Sequence, residues 1–140
     1  MKIIGLDLGS KTLGIAISDP SLTIATKLTT LRFNSDDYDY AIKQLSDILK
    51  GIDVLKCVLG LPKNMDGSLG FQAQKTLEFK SMLESKLGLE VDLYDERLTS
   101  KMAESMMVSA DLSRKKRKTK VDFVAATIIL QGYLDSRKRV

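Results

Sequence analysis

Four acidic residues, in three stretches, stand where solubility alone gives no reason for them. Asp7 lies in "IIGLDLGSKTLGIAISD", residues 3–19, a run that otherwise reads as buried strand. Asp95 and Glu96 open "DERLTS", residues 95–100, and Asp122 closes "TKVD", residues 119–122. A lone charge inside a sheet is costly unless a partner neutralises it. Carboxylates of this kind suit Mg²⁺ or Mn²⁺, which take a few oxygen ligands and keep several waters. Two such ions, about 3.5–4 Å apart, would activate a water and stabilise the leaving oxygen in phosphodiester cleavage. Other chemistries are excluded by composition. There is no histidine, hence no imidazole base and no His-ligated zinc. The single cysteine, Cys57 in "VLKCVLG", makes neither an internal disulfide nor a thiolate cluster and reads as a small core residue.

Each acid also has a plain structural reading. Asp7 can brace the Gly9-Ser10 turn that follows it. Asp95 and Glu96 occupy adjacent strand positions and point to opposite faces, so at most one of them meets Asp7. Arg97 can pair with the other, or the pair can be an exposed strand end before a helix capped by Thr99. Thr119 and Asp122 fit the S/T-x-x-D/E capping pattern, which explains Asp122 without catalysis. An aspartate in a helix's first turn also stays ionised readily, because the N-terminal dipole favours its anion. A metal ligand needs that property.

The net charge of +4 hides an asymmetry. Six basic residues in 114–120 and three in 137–139 account for nine of the 22; the remaining 13 face 18 acids, an acidic body of net −5. The block Arg114, Lys115, Lys116, Arg117, Lys118 and Lys120 reads as a solvated or disordered arm that grips a phosphate backbone. With 140 residues, 44% of them apolar, the chain has material for one domain, 1–140, and one core. No apolar run nears 18 residues and no signal peptide precedes the first strand, so a cytoplasmic location is expected.

The elements that must position these groups follow from periodicity. Residues 2–8, 13–18 and 24–33 read as strands joined by short connections, an antiparallel meander. In the first strand, Ile4, Leu6 and Leu8 share one face while Ile3, Gly5 and Asp7 share the other, and Gly5 leaves space beside Asp7. Ser35 reads as the N-cap of an amphipathic helix, with Asp36 and Asp37 in its first turn. Its stripe is Tyr38, Ala41, Ile42, Leu45, Ile48, Leu49 and Ile52. "VLKCVLG", 54–60, reads as a strand covered on both faces. The loop "LPKNMDGSLG" leaves its end, and Asn64, Asp66, Gly67 and Ser68 suit substrate contact. Phe79, Met82, Leu83 and Leu87 mark a helix closed by Gly88. Residues 89–96 form the fifth strand, and Met102, Ala103, Met106, Met107 and Ala110 mark a further helix. Val121, Val124, Ala125, Ile128 and Ile129 stripe the last one, where Ala125 and Ala126 are small enough for close approach to the sheet. The order βββαβαβαα predicts an α/β fold: a mixed five-stranded sheet with helices on both faces, parallel in its second half. Ligands of such sheets sit at the carboxyl ends of parallel strands. Asp7, the 61–70 loop and the 95–96 pair all fall there.

The stretches "GLDLGSKTLGIAISDP", "VLGLPKNMDGSLGFQAQ", "YDERLTS" and "SRKKRKTKVDFVAATIILQGYLD" resemble the YqgF/RuvX-like family, associated with Holliday junction resolution and pre-16S rRNA processing. The resemblance spans nearly the whole chain in the family's order. It implies an RNase H-like fold and a cytoplasmic divalent-metal nuclease linked to maturation of the 5′ end of 16S rRNA. It implies Asp7, Glu96 and Asp122 as the catalytic, metal-holding acids, favouring Glu96 over Asp95. Lys11 and Arg97 join the basic block as expected nucleic-acid contacts. This chain has Thr12 where many family members carry arginine, a departure in the turn after Asp7. The expected partner is structured RNA or branched DNA, with no membrane, and a homodimer is left open. A resolvase of branched DNA and a non-catalytic, nucleic-acid-binding ribosome factor are the alternatives. "DLGSKTLGIAISD" also resembles the phosphate turn of actin-like ATPases and sugar kinases, but those need two such domains around the nucleotide.

Overall fold

The computed structural model describes residues 1–62, 66 and 68–95, the backbone of 114–124, and residues 125–137. Strands β1 (Lys2–Leu8), β2 (Thr12–Ser18) and β3 (Ala25–Arg32) lead into helix α1 (Tyr38–Leu49). Then come β4 (Val54–Leu61), α2 (Phe71–Leu87), β5 (Val91–Asp95) and α3 (Arg114–Arg137). The sheet order is β3-β2-β1-β4-β5. β2 is antiparallel to β1 and β3, whereas β4 is parallel to β1 and β5. The mixed five-stranded α/β sheet expected from the sequence is present. The helix expected around Met102–Ala110 lies outside the described residues.

Strand alternation decides what each face buries. Ile4, Leu6 and Leu8 of β1 pack with Leu13, Ile15, Cys57 and Leu59 beneath Tyr38, Ala41, Ile42 and Leu45 of α1 and Phe79 and Leu83 of α2. Ile3, Ala16 and Val58 point the other way, under Ala126, Ile129, Leu130 and Leu134 of α3. The faces of β1 thus divide as the period-two pattern predicts. Burial pushes the Cys57 thiol up to about 12, which leaves it the inert core residue expected.

Helix starts follow the sequence less closely. α1 is capped by Asp37, not Ser35: the Asp37 carboxylate accepts from the Tyr40 N–H at 3.3 Å. Asp36 sits at φ 59°, its N–H donates to the Ser10 carbonyl at 2.8 Å, and its carboxylate pairs with Lys75 at 2.6 Å. A left-handed residue cannot continue a right-handed helix, so α1 starts only after it, and Ile52 falls beyond its end. α2 closes as expected at Gly88, φ 65°, whose N–H donates to the Leu83 carbonyl. α3 departs most from expectation. It begins at Arg114, so the backbone of the basic block forms helical turns and not a disordered arm. Thr119 is therefore inside the helix and not its cap, and Asp122 stands in its third turn. Lys and Arg are good helix formers, and no Gly or Pro interrupts 114–131. The stripe also turns by one residue: Ala126 is buried and Ala125 only half-buried.

Candidate active site

β1 carries Asp7 to the carboxyl edge of the parallel trio β1, β4 and β5. Asp7 pairs with Gly14 on β2. Leu6 pairs with Leu59, so the next rung sets Gly60 beside Asp7. Paired residues share a face, so glycine on both neighbouring strands leaves room beside the carboxylate. Asp7 is half-buried, on the face that α3 covers. Gly5 serves another purpose than the one expected. A Cβ at Gly5 would lie 2.7 Å from Leu130 Cβ and 3.0 Å from the Ala126 carbonyl oxygen. The space beside Gly5 is filled by α3, which crosses β1 at van der Waals contact.

Polar contacts fix the direction of α3. The Gln131 amide accepts from the Ala25 N–H and donates to the Thr23 carbonyl, both at 2.9 Å. Ala25 pairs with Ser18, whose hydroxyl accepts from the Ile3 N–H at 2.8 Å. Residue 131 is thereby held near the amino end of β1, while Ala126 and Leu130 lie over Gly5. α3 therefore runs antiparallel to β1, and its earlier turns lead toward the edge where Asp7 stands. Position 122 is one turn, about 6 Å, before Ala126. On β5, the Tyr133 hydroxyl donates to Asp92, and Lys56 Nζ lies 3.1 Å from the same carboxylate. The Tyr133 hydroxyl, then Lys56, hold Asp92 below the usual carboxylate range, and Asp92 holds Lys56 above its own.

The remaining expected residues divide. Asp95 ends β5 opposite Leu61. Val91 belongs to the core under α1 and α2, and Tyr94 to the core under α3. Alternation therefore turns Asp95 away from the face of Asp7. Glu96, Arg97, Asn64 and Gly67 lie outside the described residues, as do the side chains of Asp122, Arg114, Lys115, Lys116, Arg117, Lys118 and Lys120. Asp66 and Ser68 form an exposed turn in which the Asp66 carboxylate accepts from the Ser68 N–H at 2.9 Å and from its hydroxyl at 2.7 Å. Lys11 is exposed in the β1–β2 turn, which closes through the Gly9 N–H donating to the Thr12 carbonyl at 2.8 Å. Sequence reasoning missed Gln72, whose amide donates to the Leu8 carbonyl at 3.3 Å and ties the first turn of α2 to the edge beside Asp7. No local pattern marks so distant a contact. A cleft of about 300 Å³, lined by Leu49, Ile52, Val54, Leu87 and Leu89, sits at the opposite edge, by the amino ends of the parallel strands.

Residues 1–136 match the family model described as RuvX, Holliday junction resolvase. A Bacillus subtilis (strain 168) protein named "Putative pre-16S rRNA nuclease" is 46% identical over 136 residues, 97% of this chain and 99% of that protein. A Clostridium botulinum (strain Hall) protein of the same name is 51% identical over 136 residues, 97% of this chain and 98% of that protein. Among solved structures, T. thermophilus RuvC in complex with a Holliday junction substrate superposes with a TM-score of 0.60 at 13% identity, covering 99% of this chain and 96% of that one. That likeness carries the fold, which is RNase H-like as the sequence resemblance implies. The match along the sequence carries the family: this chain belongs to the RuvX family, a nuclease family described by Holliday junction resolution.

Proposed function

We propose that residues 1–140 form one cytoplasmic, divalent-metal nuclease domain that hydrolyses phosphodiester bonds at the 5′ end of pre-16S rRNA. The observation that carries this reading is Asp7 at the carboxyl edge of β1, β4 and β5, with glycine on either neighbouring strand and α3 running toward it. The names of the relatives supply the rRNA substrate. The parity of β5 adds support for the acidic set. Asp92 and Tyr94 share the α3 side, and position 96 is the next of that parity, which favours Glu96 over Asp95. Asp122, one turn before Ala126, completes the proposed set with Asp7 and Glu96.

Among the described residues no three His, Cys, Asp or Glu side chains come together; two of the three acids have side chains outside that set. The donors fit Mg²⁺ or Mn²⁺, since all are hard carboxylate oxygens and the described one stands half-buried beside glycines. Bound there, the metal supplies an activated water and charge neutralisation at the leaving oxygen. The protein's own groups hold and orient. Lys11, Arg97 and the basic turns of α3 grip phosphates on either side of the scissile bond. Asn64, Asp66, Gly67 and Ser68, in the sequence that follows β4, are the proposed substrate-contacting loop. Phosphate contacts set register without reading sequence, so shape and 2′-OH contacts must select RNA over DNA.

The test supplies a 5′-extended pre-16S rRNA end and a four-way DNA junction side by side, with and without Mg²⁺. Metal-dependent cleavage of the RNA supports the reading. Cleavage of the junction alone reassigns the chain to branched-DNA resolution. Binding without cleavage of either makes it a non-catalytic ribosome factor.

A further inference from the structure

Phe71 opens α2 with its side chain 74% exposed, and Leu69 just before it is 46% exposed. Single exposed apolar residues are ordinary on any protein. Phe71 differs in how it is held and where. Lys75, one turn on, sets its Nζ 4.3 Å from the ring centroid. The same Nζ pairs with Asp36 at 2.6 Å, and the Asp36 N–H is bound to Ser10 in the β1–β2 turn. Gln72, the next residue, donates to the carbonyl of Leu8, the residue after Asp7. A flat apolar ring therefore stands at the rim of the carboxyl edge, braced by a cation and open to solvent.

A ring in this setting suits a nucleobase. Bases stack on aromatic faces whatever their sequence, and the attached phosphate is drawn to neighbouring cations. Lys75, paired with Asp36, braces the ring, and the cation open to a phosphate is exposed Lys11, which follows Ser10 in the adjoining turn. An apolar peptide side chain would match the ring but would leave the charge of exposed Lys11 unused. A base in a continuous duplex keeps its faces against its neighbours and has none to offer; only an unpaired base can meet the ring.

We infer that Phe71 is a stacking platform for an unpaired nucleobase next to the scissile phosphate. The substrate class is then nucleic acid with unpaired nucleotides at the cleavage position, not uniform duplex. This rests on the nuclease reading above and narrows it.

Binding is measured with the Asp7→Asn protein, so that cleavage does not intervene. One oligonucleotide carries 2-aminopurine at an unpaired position flanking a stem; a second carries it within a blunt duplex. Stacking quenches the fluorophore, and quenching is expected with the first probe only. Adding Phe71→Ala should weaken the unpaired probe roughly 5- to 150-fold, the range for loss of one stacked base. Affinity for the blunt duplex and the slope against log salt should stay unchanged, because the ring releases no counterion. Phe71→Trp should restore binding. The ring lies outside the core, so its truncation leaves the packing of α2 in place. Equal affinity of Phe71→Ala for the unpaired probe, or quenching that persists in it, overturns the platform and leaves the nuclease reading standing. Binding of neither probe by the Asp7→Asn parent overturns the nuclease reading, and the platform with it.

Discussion

Asp7→Asn separates two roles that one carboxylate can play. Three carboxylates gathered without metal repel one another. The variant should then be as stable as the parent or more so without Mg²⁺, gain no stability from Mg²⁺, and lose cleavage while nucleic-acid binding survives. A carboxylate that only braces its turn would instead cost about 1 kcal/mol on removal, as a lost cap does, with Mg²⁺ irrelevant. Thermal unfolding with and without Mg²⁺, beside a cleavage assay, decides. Asp95→Asn is the control: because Asp95 faces away from Asp7, it should cleave like the parent while Glu96→Gln does not. Asp92 gives a pH prediction. The Tyr133 hydroxyl and Lys56 hold its folded pKa below the unfolded value of about 3.9. Such a group stabilises the fold above its unfolded pKa and loses that contribution as pH falls through the folded one. Asp92→Asn should be modestly less stable than the parent at neutral pH, with the gap closing in acid below about pH 4. A gap that stays constant into acid refutes the linkage.

Two glycines distinguish contact from conformation at the level of elements. Gly5→Ala would drive a methyl group into Leu130 and the Ala126 carbonyl, so α3 must lift from β1. Overpacking of this kind costs about 1–3 kcal/mol, and cleavage should fall further than stability explains if α3 carries Asp122 into the site. Gly88→Ala meets nothing within 4 Å but must hold φ at 65°. It should cost about 1 kcal/mol from backbone strain alone and leave the cleavage rate unchanged. Denaturant unfolding and initial rates on both variants check the contrast. The helical basic block changes a binding expectation too. Neutralising all six cations of a flexible arm would flatten the salt slope by up to about 5 on duplex DNA. Consecutive helical positions take every face of the helix, so about half can meet one backbone, and a change nearer 3 is expected from the same ~0.9 per contact. A binding isotherm series in salt gives the number.

For the whole molecule, α3 is a structural layer as well as the carrier of positive charge. It alone among the described helices covers Ile3, Ala16 and Val58, and it buries Ile128, Ile129, Leu130 and Leu134. Each large apolar side chain so buried contributes about 1.5–3 kcal/mol, against a typical total stability of about 5–15 kcal/mol. A chain ending before Arg114 should therefore show no cooperative thermal transition by circular dichroism. A truncated chain that melts cooperatively would mean that the sheet and the other helices fold without the α3 layer.

Local periodicity needs no partner to be read. The faces of β1, the covered run of β4, the Gly88 stop and the parallel second half were all legible in the residues. The motif stretches carried the family. Asp7 was conspicuous because a carboxylate interrupts an apolar strand. Other features depended on groups far along the chain. Asp37 caps α1 because Ser10 and Lys75 hold Asp36 left-handed, and nothing in "NSDD" announces either partner. Gly5 looked like room for a carboxylate until the packing of α3 filled it. Asp95 and Glu96 were equivalent by alternation alone. Only the two cores on either side of the sheet told which face of β5 looks toward Asp7. A hydrophobic pattern states which side of an element is buried, but the layer that covers that side, and the groups it brings along, are decided by contacts between distant segments.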